Sequence, residues 1–401
     1  MIITISDRFN RFPGADPGPV PTAIAIPRPG WMEGMPSYDA FLLVSFGGPE
    51  GPDDVMPFLA NVTRGRNVPP ERLASVAEHY YAFGGVSPIN QQGRDLLAAV
   101  CAGFAACGLS LPLYWGNRNW TPYLTDTVRQ MAEDGVRRAV AFVTSAYSSY
   151  SSCRQYLDDM ERARAAVGPD APRIDKIRRF YNHPGFIEPF AGNVRAALAT
   201  LPADVRGEAH LVFTAHSVPC AMAEASGPAG EKGRYVTELT EAARLIAERT
   251  GARAHPWSLA YQSRSGPPSQ PWLEPDVRDH LGELAKSGTR AVVVIPVGFV
   301  SDHLEVRHDL DLEAAETADS LGVAFARAPT PGTSPRFASM ITELVQERLA
   351  LPEGTAPDTT VPDNPAPDHT TPDTTVPDNP ALGHMGVPSQ TCPTDCCGGT
   401  R

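Results

Sequence analysis

Nowhere in the 401 residues is there a run approaching the ~20 apolar residues that a membrane-spanning helix needs. Positive charge is scarce: 34 Lys and Arg stand against 46 Asp and Glu, a formal net charge of -12. Without a basic stripe, nucleic acid is not an expected partner. The N-terminus lacks a charged segment leading into an apolar run and a small-residue cleavage site, which argues against export. No G-x-G-x-x-G or G-x-x-x-x-G-K-[ST] follows an apolar run, which sets aside dinucleotides and nucleoside triphosphates. Seven cysteines in so long a chain make no dense disulfide framework, so a reduced, cytoplasmic protein is expected.

What is present is unevenly distributed. Residues 1–37 hold seven prolines and little periodicity and read as a disordered lead-in. Met32 and Met35 stand just before the first convincing strand and are candidate starts beside Met1. From Leu351 onward seven acidic residues face Arg401 alone, and PDTTVPDNPA occurs at 357–366 and again at 372–381. Such a Pro/Asp/Thr repeat reads as a solvated, semi-extended linker. The chain therefore divides into a 1–37 extension, domains at 38–206 and 207–350, a 351–391 linker, and a Cys-rich tail at 392–401.

Short apolar runs at Asp39–Ser45, Arg138–Thr144, His210–Ala215, Ala254–Ala260 and Thr289–Val297 predict buried strands. Amphipathic stretches between them, such as Tyr123–Asp134 and Val277–Lys286, predict helices. The alternation implies parallel sheets covered on both faces. The two halves echo one another. Pro122 leads a helix to Gly135 and the strand RAVAFVTS; Pro275 leads a helix to Gly288 and RAVVVIPV; both intervals are 13 residues. The expected fold is α/β, with two similar Rossmann-like domains, each a parallel sheet flanked by helices. Ligands of such sheets bind outside the carboxyl ends of the strands.

Two strand ends carry candidate chemistry. His216 follows the 210–215 strand, and its near-neutral pKa suits proton abstraction or, when neutral, metal ligation. After the 289–297 strand comes SDHLEVRHDLDLE at 301–313. A helix starting at Asp302 would line up Glu305, Asp309 and Glu313 on one face, each step rising about 6 Å. Oxygen ligands plus imidazole suit passage of a divalent ion such as Fe²⁺. Capping by Asp302 and Glu305 is the structural alternative for those two residues, although not for Asp309 or Glu313.

The stretch from Tyr38 to Leu349 resembles ferrochelatases, particularly actinobacterial ones. The resemblance is carried by LLVSFGGPE at 42–50, GGVSPIN at 84–90, GNRNWTPY at 116–123, SAYSSYSSC at 145–153, FTAHSVP at 213–219 and GFVSDHLEVRHDLDLE at 298–313. It implies two chelatase-type domains with a porphyrin in the cleft between them, and Fe²⁺ as the metal inserted for heme synthesis. It further implies that His216 and Glu305 are catalytic and handle metal and protons in a division left open. Asp309 and Glu313 fall on the family's acidic line; Asp302 and His303 match neighbouring motif positions. Phe46, Ser87, Arg118 and Tyr123 match porphyrin-lining positions; Arg suits a propionate because its fork binds carboxylates bidentately. The resemblance favours coproporphyrin III over protoporphyrin IX.

Some members of the family carry a [2Fe–2S] cluster on three C-terminal cysteines and one internal one. Here the positions matching that pattern are Cys392, Cys396, Cys397 and Cys153, and such a cluster needs four thiolates. A zinc site or an unliganded tail is the alternative. Cys101 and Cys107, in an apolar helix, are expected to be buried packing residues. A cobalt or nickel chelatase of another tetrapyrrole, or a non-catalytic heme- or iron-binding protein, are rival readings. A monomer is the simplest expectation.

Overall fold

The computed structural model describes residues 38–65, 68–251, 255–266, 269–351, 380–390, 392 and 396–398. The 1–37 lead-in and most of the Pro/Asp/Thr repeat lie outside these residues.

The first sheet is built from β1 (Ala40–Ser45), β2 (Leu113–Asn117), β3 (Arg138–Val143) and β4 (Arg173–Lys176), in the order β2-β1-β3-β4. The second uses β5 (His210–His216), β6 (Trp257–Gln262), β7 (Ala291–Ile295) and β8 (Ala324–Arg327), in the order β6-β5-β7-β8. Every pairing is parallel. All six residues of β1 and all five of β7 are buried, the near-continuous apolar pattern of strands covered on both faces.

The helices are α1 (Pro52–Val62), α2 (Pro70–Tyr81), α3 (Pro88–Ala106), α4 (Leu124–Glu133), α5 (Gln155–Val167), α6 (Pro184–Thr200), α7 (Cys220–Glu224), α8 (Arg234–Thr250), α9 (Val277–Lys286), α10 (Leu304–Val306), α11 (Ala315–Ser320) and α12 (Pro335–Leu349). Proline opens α1, α2, α3, α6 and α12, where its missing N–H costs nothing. None of the helices among the described residues is long and apolar enough to cross a membrane.

The two halves repeat one another. Residues at the two matched prolines bridge in parallel to the preceding strand, Asn117 with Tyr123 and Tyr261 with Asp276. The helices that follow, α4 and α9, are both ten residues long. After β3 the chain enters a π-helical turn at Tyr150–Arg154, and after β7 another at Arg307–Ala314. Such turns are rare and concentrate at functional sites.

One core joins Leu42, Val44, Ala139 and Ala141 of the first sheet to Val128 and Met131 of α4 and Met160 of α5. Another joins Val212, Val292 and Val294 to Leu281 of α9 and to Val306 and Leu310. The helices do not respect the sequence order of the halves: α6 packs on β7 and β8, while α12 returns to pack on β3 and α3. The contacting helices α1 and α2 have their own cluster of Val55, Phe58, Leu59 and Ala77, against which Trp120 packs.

Candidate active site

His216 is the last residue of β5, and the loop leaving β7 closes over that strand end. Gly298 donates its amide to Thr214 O at 3.0 Å. A Cβ on Gly298 would stand 2.7 Å from Ala215 Cα, so only glycine lets the loop approach this closely. That approach sets Glu305 opposite His216, with Nε2 and Oε1 3.9 Å apart. His216 Nδ1 lies 2.5 Å from Ser217 O. A carbonyl only accepts, so Nδ1 carries the hydrogen, and in the neutral ring the lone pair sits on Nε2 toward Glu305.

Glu305 is crowded by protein, which raises its carboxyl pKa; His216 opposes this and Asp309 adds to it. Its side chain nevertheless remains 41% exposed, so water moderates the effect. Tyr80 from α2 lies beside the same carboxylates: burial first, then Glu305 and Asp309, raise its pKa.

The acidic segment differs from the expected helix in two ways. It starts at Leu304, and the residue that caps it is His303, whose Nδ1 accepts from Val306 N at 3.4 Å. Asp302 does not cap; its carboxylate pairs with Arg327 at 3.1 Å, and its amide donates to Gln92. Burial, followed by the neighbouring His216, lowers the His303 pKa to about 4, in keeping with a neutral cap. Beyond Val306 the chain is π-helical, so residues four or five apart lie nearly one above another. Glu305, Asp309 and Glu313 thus stay on one side. Asp309 accepts from Gln262 Nε2 at 3.3 Å and from the Ser263 hydroxyl. Glu313 faces Arg278, with Oε2 3.4 Å from Nη1.

The opposite wall is aromatic. Phe46 and Tyr123 are among the few large apolar side chains that are exposed. Phe46 contacts Phe58, which contacts both Trp120 and Tyr80, and Trp120 contacts Tyr123. This chain of rings leads from the acidic line to the wall. Arg118 lies 5.9 Å from the Phe46 ring centroid and pairs with Asp159 at 2.8 Å. Ser87, 4% exposed, is spent on capping α3. Contacts through Tyr80, Phe58 and Trp120 thus link the side of Glu305 and Asp309 to Phe46 and Tyr123, whereas Ser87 and Asp302 serve the fold.

A second gathering lies in the corresponding place of the first half. Cys153, in the Tyr150–Arg154 π-turn, is buried, as are Cys396 and Cys397. Cys392 bonds to both Cys153 and Cys396, which hold its thiol well below the usual range. Cys396 and Cys397 sulfurs are 3.7 Å apart. A cavity of about 120 Å³ beside Cys153 and Cys392 is lined by Lys176, Arg178 and Arg179, and Gly227 N donates to Cys397 Sγ at 3.2 Å. Four convergent thiols next to cationic groups are a donor set that fits an iron–sulfur cluster. All seven cysteines are unbridged. Cys101 and Cys107 are half-buried and exposed respectively, not core residues: Leu96, Leu97, Val100 and Phe104 fill the buried face of α3, and Cys107 is the residue that ends it.

Part of the presumed linker is docked. Leu382 N donates to Asn182 O at 2.9 Å, and Asn182 Nδ2 donates to Gly386 O at 2.8 Å. Other participants left no sequence signal. Glu238 is fully buried and accepts from Ser148 N at 2.7 Å, with Arg179 Nε 3.7 Å away. On an amphipathic helix such a residue cannot be told from an outward one by spacing alone. His308 had a signal, since it sits between Glu305 and Asp309.

A family model described as ferrochelatase matches residues 38–349. A coproporphyrin III ferrochelatase of Streptomyces griseus is 51% identical over 369 residues, covering 90% of this chain and 93% of that protein. A coproporphyrin III ferrochelatase of Nocardia farcinica is 58% identical over 322 residues, covering 80% and 90%. A ferrochelatase of Rhodopirellula baltica is 49% identical over 367 residues, covering 91% and 95%.

Proposed function

This chain belongs to the ferrochelatase family, and from that premise we propose that its cleft inserts Fe²⁺ into coproporphyrin III with His216 and Glu305 as the catalytic pair. The observation that carries the assignment of residues is the 3.9 Å approach of His216 Nε2, at the end of β5, to Glu305 Oε1 of α10, both side chains partly exposed.

Insertion replaces two pyrrole N–H protons with one divalent ion, so charge balances without a redox step. A base must face the ring and a route must carry the ion and the protons. With the Nδ1 hydrogen committed to Ser217 O, the neutral ring of His216 has its lone pair on Nε2, which suits it to accept a pyrrole proton. Glu305, with its raised carboxyl pKa, is poised to exchange protons and to position iron from the other side. Asp309 and Glu313 draw the ion inward and pass protons outward. Phe46 and Tyr123 offer flat apolar surface to a macrocycle, and Arg118, 5.9 Å from the Phe46 ring centroid, is a cation beside that surface for a propionate. Coproporphyrin III is favoured by the names of the Streptomyces and Nocardia relatives.

A [2Fe–2S] cluster held by Cys153, Cys392, Cys396 and Cys397 belongs to the same proposal. It would tie the tail to the body and supply a redox-active centre, with Lys176 and Arg179 offsetting thiolate charge. Seven unbridged cysteines support a reducing, cytoplasmic setting, and one chain carries both walls of the cleft, which supports a monomer. The test is anaerobic turnover of Fe²⁺ with each porphyrin, followed at the Soret band, in the wild type and in His216→Ala and Glu305→Gln. Loss in both variants is expected; near-normal turnover in His216→Ala overturns the assignment.

A further inference from the structure

Arg348, near the end of α12, carries a guanidinium that is 3% exposed. Its Nε donates to the Tyr38 hydroxyl at 2.9 Å, and its Nη2 lies 3.7 Å from Asp175 Oδ2, too far for a hydrogen bond. That carboxylate is already shared by Arg138 at 2.7 Å and Arg173 at 3.1 Å. Arg348 Nη1 is buried and has no hydrogen-bond partner. Buried polar atoms are nearly always partnered and buried charges paired, so this nitrogen calls for an explanation. Arg348 lines the cavity of about 120 Å³, which offers room on the order of four waters at ~30 Å³ each. Cys153 and Cys392 border the cavity but Cys396 and Cys397 do not, so it extends from the thiols toward β4 and α12. Two of its other cations are paired, Arg178 with Glu347 at 2.7 Å and Arg154 with Asp158 at 3.0 Å. Lys176 Nζ donates to Ile177 O at 3.2 Å and pairs with no carboxylate among the described residues. The tail supplies Ser389 and Gln390 to the same lining. Gln390 Nε2 donates to Glu347 Oε1. An ionised carboxylate only accepts, so the amide is fixed with Oε1 away from Glu347, and that oxygen is buried without a donor.

We propose that this cavity binds a small oxyanion, inorganic hydrogen phosphate, which clamps the tail to the body beside Cys392. Its oxygens accept from Arg348 Nη1 and Lys176 Nζ, the pairing that guanidinium and ammonium groups make with phosphate. Its one hydroxyl donates to Gln390 Oε1. Sulfate is the same size and shape but carries no hydrogen at neutral pH, so it leaves Gln390 Oε1 unpaired, and an unpaired buried acceptor costs about 1–3 kcal/mol. The site therefore orders phosphate above sulfate. Gln390 stands two residues before Cys392, so an anion held between Gln390 and Arg348 fixes where the tail meets the body. These donors belong to the chain itself and need neither a porphyrin nor a cluster, so the site stands apart from the reading of the cleft.

Calorimetric titration of phosphate and of sulfate into the full-length, porphyrin-free protein reads this site without turnover. One phosphate per chain is expected, with sulfate weaker by about tenfold. Arg348→Gln is expected to weaken phosphate by about tenfold or more, and Gln390→Leu to abolish the preference for phosphate over sulfate. Arg348 also holds Tyr38, so the Gln390 variant decides the matter even if Arg348→Gln does not fold. Hydrogen exchange reports the clamp at the amide of Leu382, which docks the tail on Asn182 O. At phosphate ten times its Kd, that exchange is expected to slow by about tenfold. No phosphate uptake, equal affinities for the two anions in wild type, or an unchanged preference in Gln390→Leu overturns the proposal. Unchanged phosphate affinity in folded Arg348→Gln, or Leu382 exchange indifferent to phosphate, overturns it as well.

Discussion

The hydroxyl of Tyr235 donates to the main-chain carbonyl of His216 at 2.9 Å, from a side chain that is 5% exposed. Tyr235 N in turn donates to Ser226 Oγ at 2.8 Å, and the next residue, Gly227, exchanges hydrogen bonds with Cys397. Gly227 has φ +98, and a Cβ there would meet Glu231 O at 2.4 Å, so this contact depends on glycine. One short segment therefore ties the cysteine site to the histidine of the cleft.

Tyr235→Phe removes that hydrogen bond and leaves a buried carbonyl unpaired, at a cost of about 1 kcal/mol. Steady-state kinetics are expected to show kcat reduced by about three- to tenfold. The porphyrin KM is expected to stay nearly constant, since Tyr235 acts through His216. A change in KM alone would contradict the positioning role.

Iron and acid-labile sulfide analysis of anaerobically purified protein is expected to give about two of each per chain. Cys153→Ser and Cys396→Ser are expected to lose both, together with visible absorption. Zinc in place of iron, or no metal, would count against the cluster.

His183 is fully buried, and its Nδ1 accepts from Gly185 N at the start of α6. Burial, then Arg178 and Arg336, hold its pKa down to about 3. Glu343 approaches its Nε2 at 3.5 Å but is itself paired with Arg336 at 2.7 Å, so it offers little compensating charge. The folded pKa lies below the unfolded value of about 6.5, so the unfolded chain binds the extra proton between them. Stability from this group is therefore complete above pH ~6.5 and is lost as pH falls toward 3, by up to about 1.4 kcal/mol per pH unit. Denaturant titrations between these limits are expected to show a shallower acid loss in His183→Gln than in wild type.

Much of this was legible in the sequence. The apolar runs at β1, β3, β5 and β7 announced central strands, and the Pro-to-Gly interval of 13 residues announced the repeat. The run at 254–260 announced β6 as well, whereas β2, β4 and β8 were less legible. β2 contains Gly116, whose Cβ would meet Leu124 Cα at 2.9 Å, and β4 carries Asp175, bonded to Tyr38 and Arg138 across the sheet edge. Their side chains satisfy neighbours rather than a periodicity. The acidic line was visible as a four-residue spacing, but the π-helical winding was not, since its contacts are with α9 and, through His79 stacked on His308, with α2, both distant in the chain. Tyr235, Glu238 and Arg179 act through contacts far apart in the chain, which no local pattern encodes.

The most direct test is anaerobic Fe²⁺ insertion compared between coproporphyrin III and protoporphyrin IX, in the wild type and His216→Ala. The account predicts faster turnover of coproporphyrin III and a loss of about 100-fold or more in the variant, with porphyrin binding retained. Equal rates in wild type and variant would contradict it, and preference for protoporphyrin IX would overturn the substrate.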